Sequence, residues 1–139
     1  MTQDEAIKFV EQFAAQRSAG RGEALWHPQG RLHYPFADRV IGGDEIGALC
    51  DITAANSPTL TWEMLGWTHR GDVIVVEWLC SNRYGDTTVR FAGVDKLTIQ
   101  GGKIVEEIVY ADTALLRAMR AGQKLEPLMV FPAREGAVA

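Results

Sequence analysis

The sequence predicts an α+β domain, with helices in the first half, an antiparallel meander in the second and a pocket between the two. Three observations predict it. Early segments repeat apolar residues at helical spacing, later ones alternate with a period of two, and tight Gly-containing turns join the later ones. At 139 residues the chain can bury one core but not two, so a single domain over residues 1–139 is expected.

Taken in order, Thr2-Gln-Asp-Glu5 matches a helix capping box, with the acid three residues after the cap. Ile7, Phe9, Val10, Phe13 and Ala14 follow at helical spacing until Gly20 ends the run. A short second helix is expected over Glu23 to Trp26, closed by Pro28, and Arg31 to Phe36 alternates like a strand. Gly42-Gly43-Asp44 reads as a turn and helix cap. Ile46, Leu49, Cys50 and Thr53 then form the buried stripe of a helix that stops before Pro58. Four strand-like runs follow, Leu60–Thr68, Val73–Tyr84, Thr88–Ile99 and Ile104–Tyr110, separated by Arg70-Gly71, Gly85-Asp86 and Gln100-Gly101-Gly102. A last helix is expected from about Thr113 to Ala121. A tail over residues 122–139, with Pro127 and Pro132, is expected to pack on a partner subunit. Long strands joined by tight turns twist strongly, and the early helices can fill the concave side of such a sheet.

Composition excludes several classes of function. The chain is 47% hydrophobic and 23% charged, as soluble globular proteins are, and its net charge of -4 argues against nucleic acid as the main partner. No apolar run reaches the roughly 20 residues that span a bilayer, and no signal peptide is recognisable, so no membrane partner and a cytoplasmic setting are expected. Cys50 and Cys80 make neither a disulfide framework nor a metal spacing and read as small buried residues. His27, His33 and His69 are scattered without ligand spacing, so no metal site is expected. Trp62 and Trp67 fall on opposite faces of one strand, so at least one should cover the outer sheet. An apolar outer face predicts a second copy of the chain against it, as a two-fold dimer.

The most informative strand runs from Thr88 to Gln100. Val89, Phe91, Gly93, Asp95, Leu97 and Ile99 form one face, on which Asp95 is the single charge. A carboxylate among apolar neighbours costs several kcal/mol unless it is paired, hydrogen-bonded or protonated, so Asp95 is expected to be a working part. If Tyr84 pairs with Thr87, then Trp78 faces Gly93 and Cys80 faces Phe91, which puts Trp78, Cys80 and Asn82 on the Asp95 side. The next hairpin is open to two registers. A three-residue loop pairs Asp95 with Glu107; a two-residue Gly-Gly loop pairs Asp95 with Ile108 and Lys96 with Glu107.

The order of elements resembles the nuclear transport factor 2-like superfamily, which includes ketosteroid isomerases, SnoaL-like polyketide cyclases and limonene epoxide hydrolases. The resemblance covers roughly Glu5 to Met119. It rests on Leu32-His-Tyr-Pro-Phe36, Gly42-Gly-Asp-Glu-Ile46, Gly102-Lys-Ile-Val and Tyr110-Ala-Asp112. It implies a cone-shaped α+β barrel, a strongly curved antiparallel or mixed sheet wrapped around N-terminal helices with a deep cavity. Asp95 falls where the ketosteroid isomerases keep a protonated acid that donates to an enolate oxygen. Their donor tyrosine on the first helix corresponds to Phe13, and their general base to Tyr34. The acidic and basic positions of the epoxide hydrolases, and the last-strand acid of the cyclases, read here as Trp78, Cys80 and Val109. Fold alone does not choose among these chemistries.

The resemblance favours the first register, in which Asp95 and Glu107 face each other in an apolar pocket and share one proton. The alternative sends Glu107 outside to pair with Lys96. Tyr34 is expected to polarise a substrate oxygen, or else to be a core tyrosine bonded to a carbonyl. Asn82 is a polar anchor near the mouth or an ordinary strand-end residue. Phe13, Trp78, Cys80, Asn82, Phe91 and Val109 are the expected ligand contacts. The expected activity is cofactor-free acid–base chemistry, such as isomerisation, cyclisation, dehydration or epoxide opening, on a small hydrophobic molecule. The alternative is a non-catalytic binding protein for an apolar ligand.

Overall fold

The capping box forms as expected. In this computed structural model, which describes residues 1–114, 117–118 and 121, helix α1 spans Gln3–Ser18. Thr2 Oγ1 accepts from the Glu5 backbone, and Glu5 Oε2 accepts from the Thr2 backbone at 2.7 Å. Its buried stripe is Ala6, Phe9, Val10 and Phe13; Ile7, expected inside, is exposed while Ala6 takes the inner position. The second helix is only a 3₁₀ turn over Glu23–Leu25, because Pro28 follows too closely for a longer one.

Strand β1 (Trp26–His33) begins earlier than its alternation indicated and pairs with a two-residue strand β2 (Ile41–Gly42). Helix α2 covers Ile46–Asn56 and buries Ile46 and Cys50. The meander consists of β3 (Thr61–Arg70), β4 (Val73–Tyr84), β5 (Thr87–Gln100) and β6 (Lys103–Ala111). Of the helix expected over Thr113 to Ala121, the described residues 114, 117 and 118 are helical, with Arg117 N–H donating to Thr113 O at 2.9 Å and Ala121 N–H to Arg117 O at 3.0 Å; the tail lies outside the described residues.

The six strands form one curved sheet in the order β2-β1-β6-β5-β4-β3. Every neighbouring pair is antiparallel except β1 and β6, which run parallel and join the first quarter of the chain to its last strand. The sheet is therefore mixed. Its inner face packs beneath α1 and α2 to form the core, with Phe9, Val10 and Phe13 meeting Ile74, Val76, Leu97, Ile99 and Ile104. Two helices over a curved mixed sheet give the α+β architecture that the sequence predicted.

One expectation about the outer face fails. Met64 pairs with Trp78, but the next partner of Glu77 is Gly66, so Leu65 is an extra residue in β3. That bulge reverses the alternation. Trp62 then opposes Cys80 and Trp67 opposes Val76, so both tryptophans lie on the inner face and pack against the core. Neither covers the outer sheet.

Candidate active site

The β4–β5 hairpin keeps the expected register. Tyr84 pairs with Thr87, Cys80 with Phe91 and Trp78 with Gly93, joined by a tight turn in which Gly85 takes a φ of 57°. Gly93 has a further role. A Cβ there would overlap the Trp78 ring, so only glycine lets the indole lie flat across β5 and reach along it. The reward is a hydrogen bond: Trp78 Nε1 donates to Asp95 Oδ1 at 2.8 Å. Asp95 is 2% exposed.

The β5–β6 hairpin follows neither expected register at the site. Its Gly101-Gly102 loop pairs Gln100 with Lys103 and Ile99 with Ile104. Val105 is then an extra residue, and beyond it Thr98 pairs with Glu106, Leu97 with Glu107 and Asp95 with Val109. Glu107 still faces inward, because its partner Leu97 is an inward residue. It sits diagonally from Asp95 rather than opposite, with its side chain 0% exposed. Glu106 points the other way, to Arg31 at 3.1 Å and His33 at 3.3 Å.

A third member was not anticipated. Arg17, at the last turn of α1, donates from Nη2 to Glu107 Oε1 at 2.7 Å and stands 3.9 Å from Asp95 Oδ2. Its guanidinium carbon lies 5.3 Å above the Phe13 ring, an arrangement that favours a cation over an aromatic face. The signal was present, since position 17 continues the buried stripe four residues beyond Phe13. A basic residue in a last helical turn has an ordinary explanation in the helix dipole, and that masked it.

Two carboxyls and one guanidinium balance only if the acids share one proton. Burial, and after it the charge of Glu107, pushes Asp95 up to about 8 against the opposing pull of Arg17 and the Trp78 hydrogen bond. Glu107 Oε2 is buried and has no donor among the neighbouring protein groups. A proton on Asp95, hydrogen-bonded toward Glu107, satisfies it.

In front of this cluster lies a pocket of about 130 Å³ bounded by both helices and the sheet. Of the residues expected at the site, Asp95, Tyr34, Trp78, Cys80, Phe91 and Val109 line it. Glu107 does not; it stands behind Asp95. Phe13 is also behind the wall, its ring edge-on to Trp62 at 5.9 Å and beneath Arg17. Asn82 is buried elsewhere, accepting from Thr59 Oγ1 at 2.7 Å and tying the end of β4 to the approach of β3. Arg17, Trp26, Phe36 and Trp62 line the pocket without having been expected there. Burial raises the Tyr34 hydroxyl, and it pushes the Cys80 thiol up to about 12, so both carry their protons at neutral pH. Asp95 is the one carboxyl in the lining. Among the described residues no group of three or more His, Cys, Asp or Glu is placed to hold a metal ion, and no helix is long and apolar enough to cross a membrane.

Comparison with known proteins agrees with this architecture. The SnoaL-like domain model matches residues 6–107, and the chain belongs to that family. AclR, a proposed hydroxylase from Streptomyces galilaeus, superposes with a TM-score of 0.72 at 14% identity, covering 93% of this chain and 88% of that one. A proposed polyketide cyclase from Bacillus cereus gives 0.72 at 18% identity, over 90% and 87% of the two chains. A proposed SnoaL-like polyketide cyclase from a Jannaschia species gives 0.69 at 16% identity, over 88% and 94%. At such identities the likeness is one of fold. No curated protein matches the chain.

Proposed function

We propose that this chain is a small-molecule enzyme of the cyclase or isomerase kind, performing acid–base chemistry at a substrate oxygen with its own side chains. The observation that carries the reading is the Asp95 carboxyl, buried at the pocket wall, held by Trp78 and backed by Glu107. A neutral carboxylic acid at pH 7 can donate to a carbonyl oxygen as negative charge develops on it. Arg17 lines the same pocket and favours the same charge. Glu107 acts through Asp95: its charge raises the proton affinity of its neighbour, so Asp95 recovers its proton after each turnover. Tyr34, protonated and in the lining, is a second donor to the substrate oxygen. The family membership supports a small-molecule reaction of this broad class.

The same reading keeps a second copy of the chain against the outer sheet face, around Val94, Ile108 and Tyr110.

Loss of an α-hydrogen from a carbonyl compound is the step this site should accelerate, with Asp95 donating to the oxygen while solvent water takes the α-hydrogen, and it can be followed without knowing the natural substrate. Exchange of α-hydrogens of cyclic ketones in deuterated water, monitored by proton NMR, is expected with the native chain. Asp95→Asn should slow it by about 100-fold or more. Tight binding with no exchange, indifferent to that substitution, would instead identify a non-catalytic binding protein for an apolar ligand.

A further inference from the structure

The pocket is small. An apolar protein cavity of about 150 Å³ holds a single benzene ring. This hollow, about 130 Å³, therefore has room for one six-membered ring and a substituent or two. Its walls suit a flat ring. Phe91 stands edge-on to Trp78 at 6.0 Å and 88°, and to Phe36 at 6.5 Å and 76°. Perpendicular aromatic walls offer a guest both ring faces and ring edges, the two arrangements that aromatic contacts prefer.

The polar groups restrict the guest further. Arg17 is already bonded to Glu107, and one proton on the acids makes the cluster neutral. An anion would meet the Asp95 oxygens, and a cation would meet Arg17 and Arg21, the second of which is already paired with Glu23 and Asp51. Either would leave water for an apolar hollow with no net charge to receive it.

We infer that the ligand is an uncharged, planar, single-ring compound with one hydrogen-bond-accepting oxygen, of the size of a cyclic enone or simple quinone, and not a fused polycycle. The inference deepens the functional reading above and rests on the same pocket being the working site. Ring count is set by the walls, and the oxygen is placed by Asp95. Phe91, at the junction of Trp78 and Phe36, is the residue that limits size.

Calorimetric titration with defined probes tests it. Cyclohex-2-enone and benzaldehyde represent the inferred class, α-tetralone and anthrone add one and two fused rings, and benzoate adds a charge to a single ring. The native chain should bind cyclohexenone at least tenfold more tightly than α-tetralone, bind anthrone not at all, and bind benzaldehyde at least tenfold more tightly than benzoate at pH 7. Phe91→Ala should reverse the preference between one and two rings. Leu49→Ala, at a half-buried lining position on α2, should weaken that preference if the larger deletion fails to fold. Tighter binding of the fused rings, equal binding of benzoate and benzaldehyde, or no binding of any ring compound overturns the inference. A preserved ring preference without deuterium exchange would uphold the ligand class while removing the enzymatic reading.

Discussion

Glu106 and Glu107 are the same residue type, adjacent in one strand, and they live in different media. Glu106 faces outward within reach of Arg31 and His33, where water screens every interaction. Glu107 faces inward, fully buried, with one oxygen on Arg17 and the other without a protein donor. The pleat alone makes the difference. A surface carboxylate is a solvated charge that its neighbours hardly notice. A buried one must be answered by a cation, a proton or both, and it passes its demand to the group beside it. Asp95 is that group.

The contrast can be tested from several directions. The largest effect is in pH. Folded Asp95 keeps its proton to about pH 8, whereas an unfolded aspartate loses it near 4. Between those values the folded state binds one proton more, so stability is greatest at the acid end of the window and falls as pH rises, by about 1.4 kcal/mol per unit. Urea titrations should show the native chain losing on the order of 4 kcal/mol relative to Asp95→Asn between pH 5 and 8. Glu107→Gln removes a charge that helps hold the proton, so it should lower the pH at which that fall in stability ends; an unchanged end point would mean the two acids are not coupled.

Arg17→Met leaves Glu107 buried without its cation. A loss of about 3 kcal/mol at pH 7 is expected from denaturation midpoints. Gly93→Ala drives a methyl into the Trp78 ring and should cost about 2 kcal/mol. It should also break the indole bond to Asp95, raising the apparent pKa of that carboxyl in carbon-13 NMR. The smallest effect belongs to the outer acid. Glu106→Gln should change stability by less than about 1 kcal/mol, and 1 M salt should erase the difference.

What could be read from the sequence followed the alternation of residues until a strand broke it. The β4–β5 pairing was legible because Gly85-Asp86 admits a tight turn and no bulge follows, so Trp78, Cys80 and Phe91 could all be placed beside Asp95. The β5–β6 pairing was not, because Val105 slips the register by one beyond a loop that was itself ambiguous. Leu65 did the same to β3 and turned Trp67 inward, and that removed part of the apolar outer face on which a partner subunit was expected. A bulge is a local loss of pairing with no residue signature as strong as a glycine turn. Arg17 was hidden for a different reason: a helix-end arginine is ordinary, and only the docked helix reveals the acids beneath it. Asn82 illustrates the converse, a polar residue in the right strand whose partner, Thr59, came from a loop that alternation cannot place.

The indole resting on Asp95 turns the chain into its own optical indicator. A fluorophore bonded directly to an acid that gains and loses a proton emits differently in the two states, so the emission of Trp78 should titrate with the carboxyl it touches. A guest molecule that accepts a hydrogen bond from that carboxyl would be visible by its light, with no label attached.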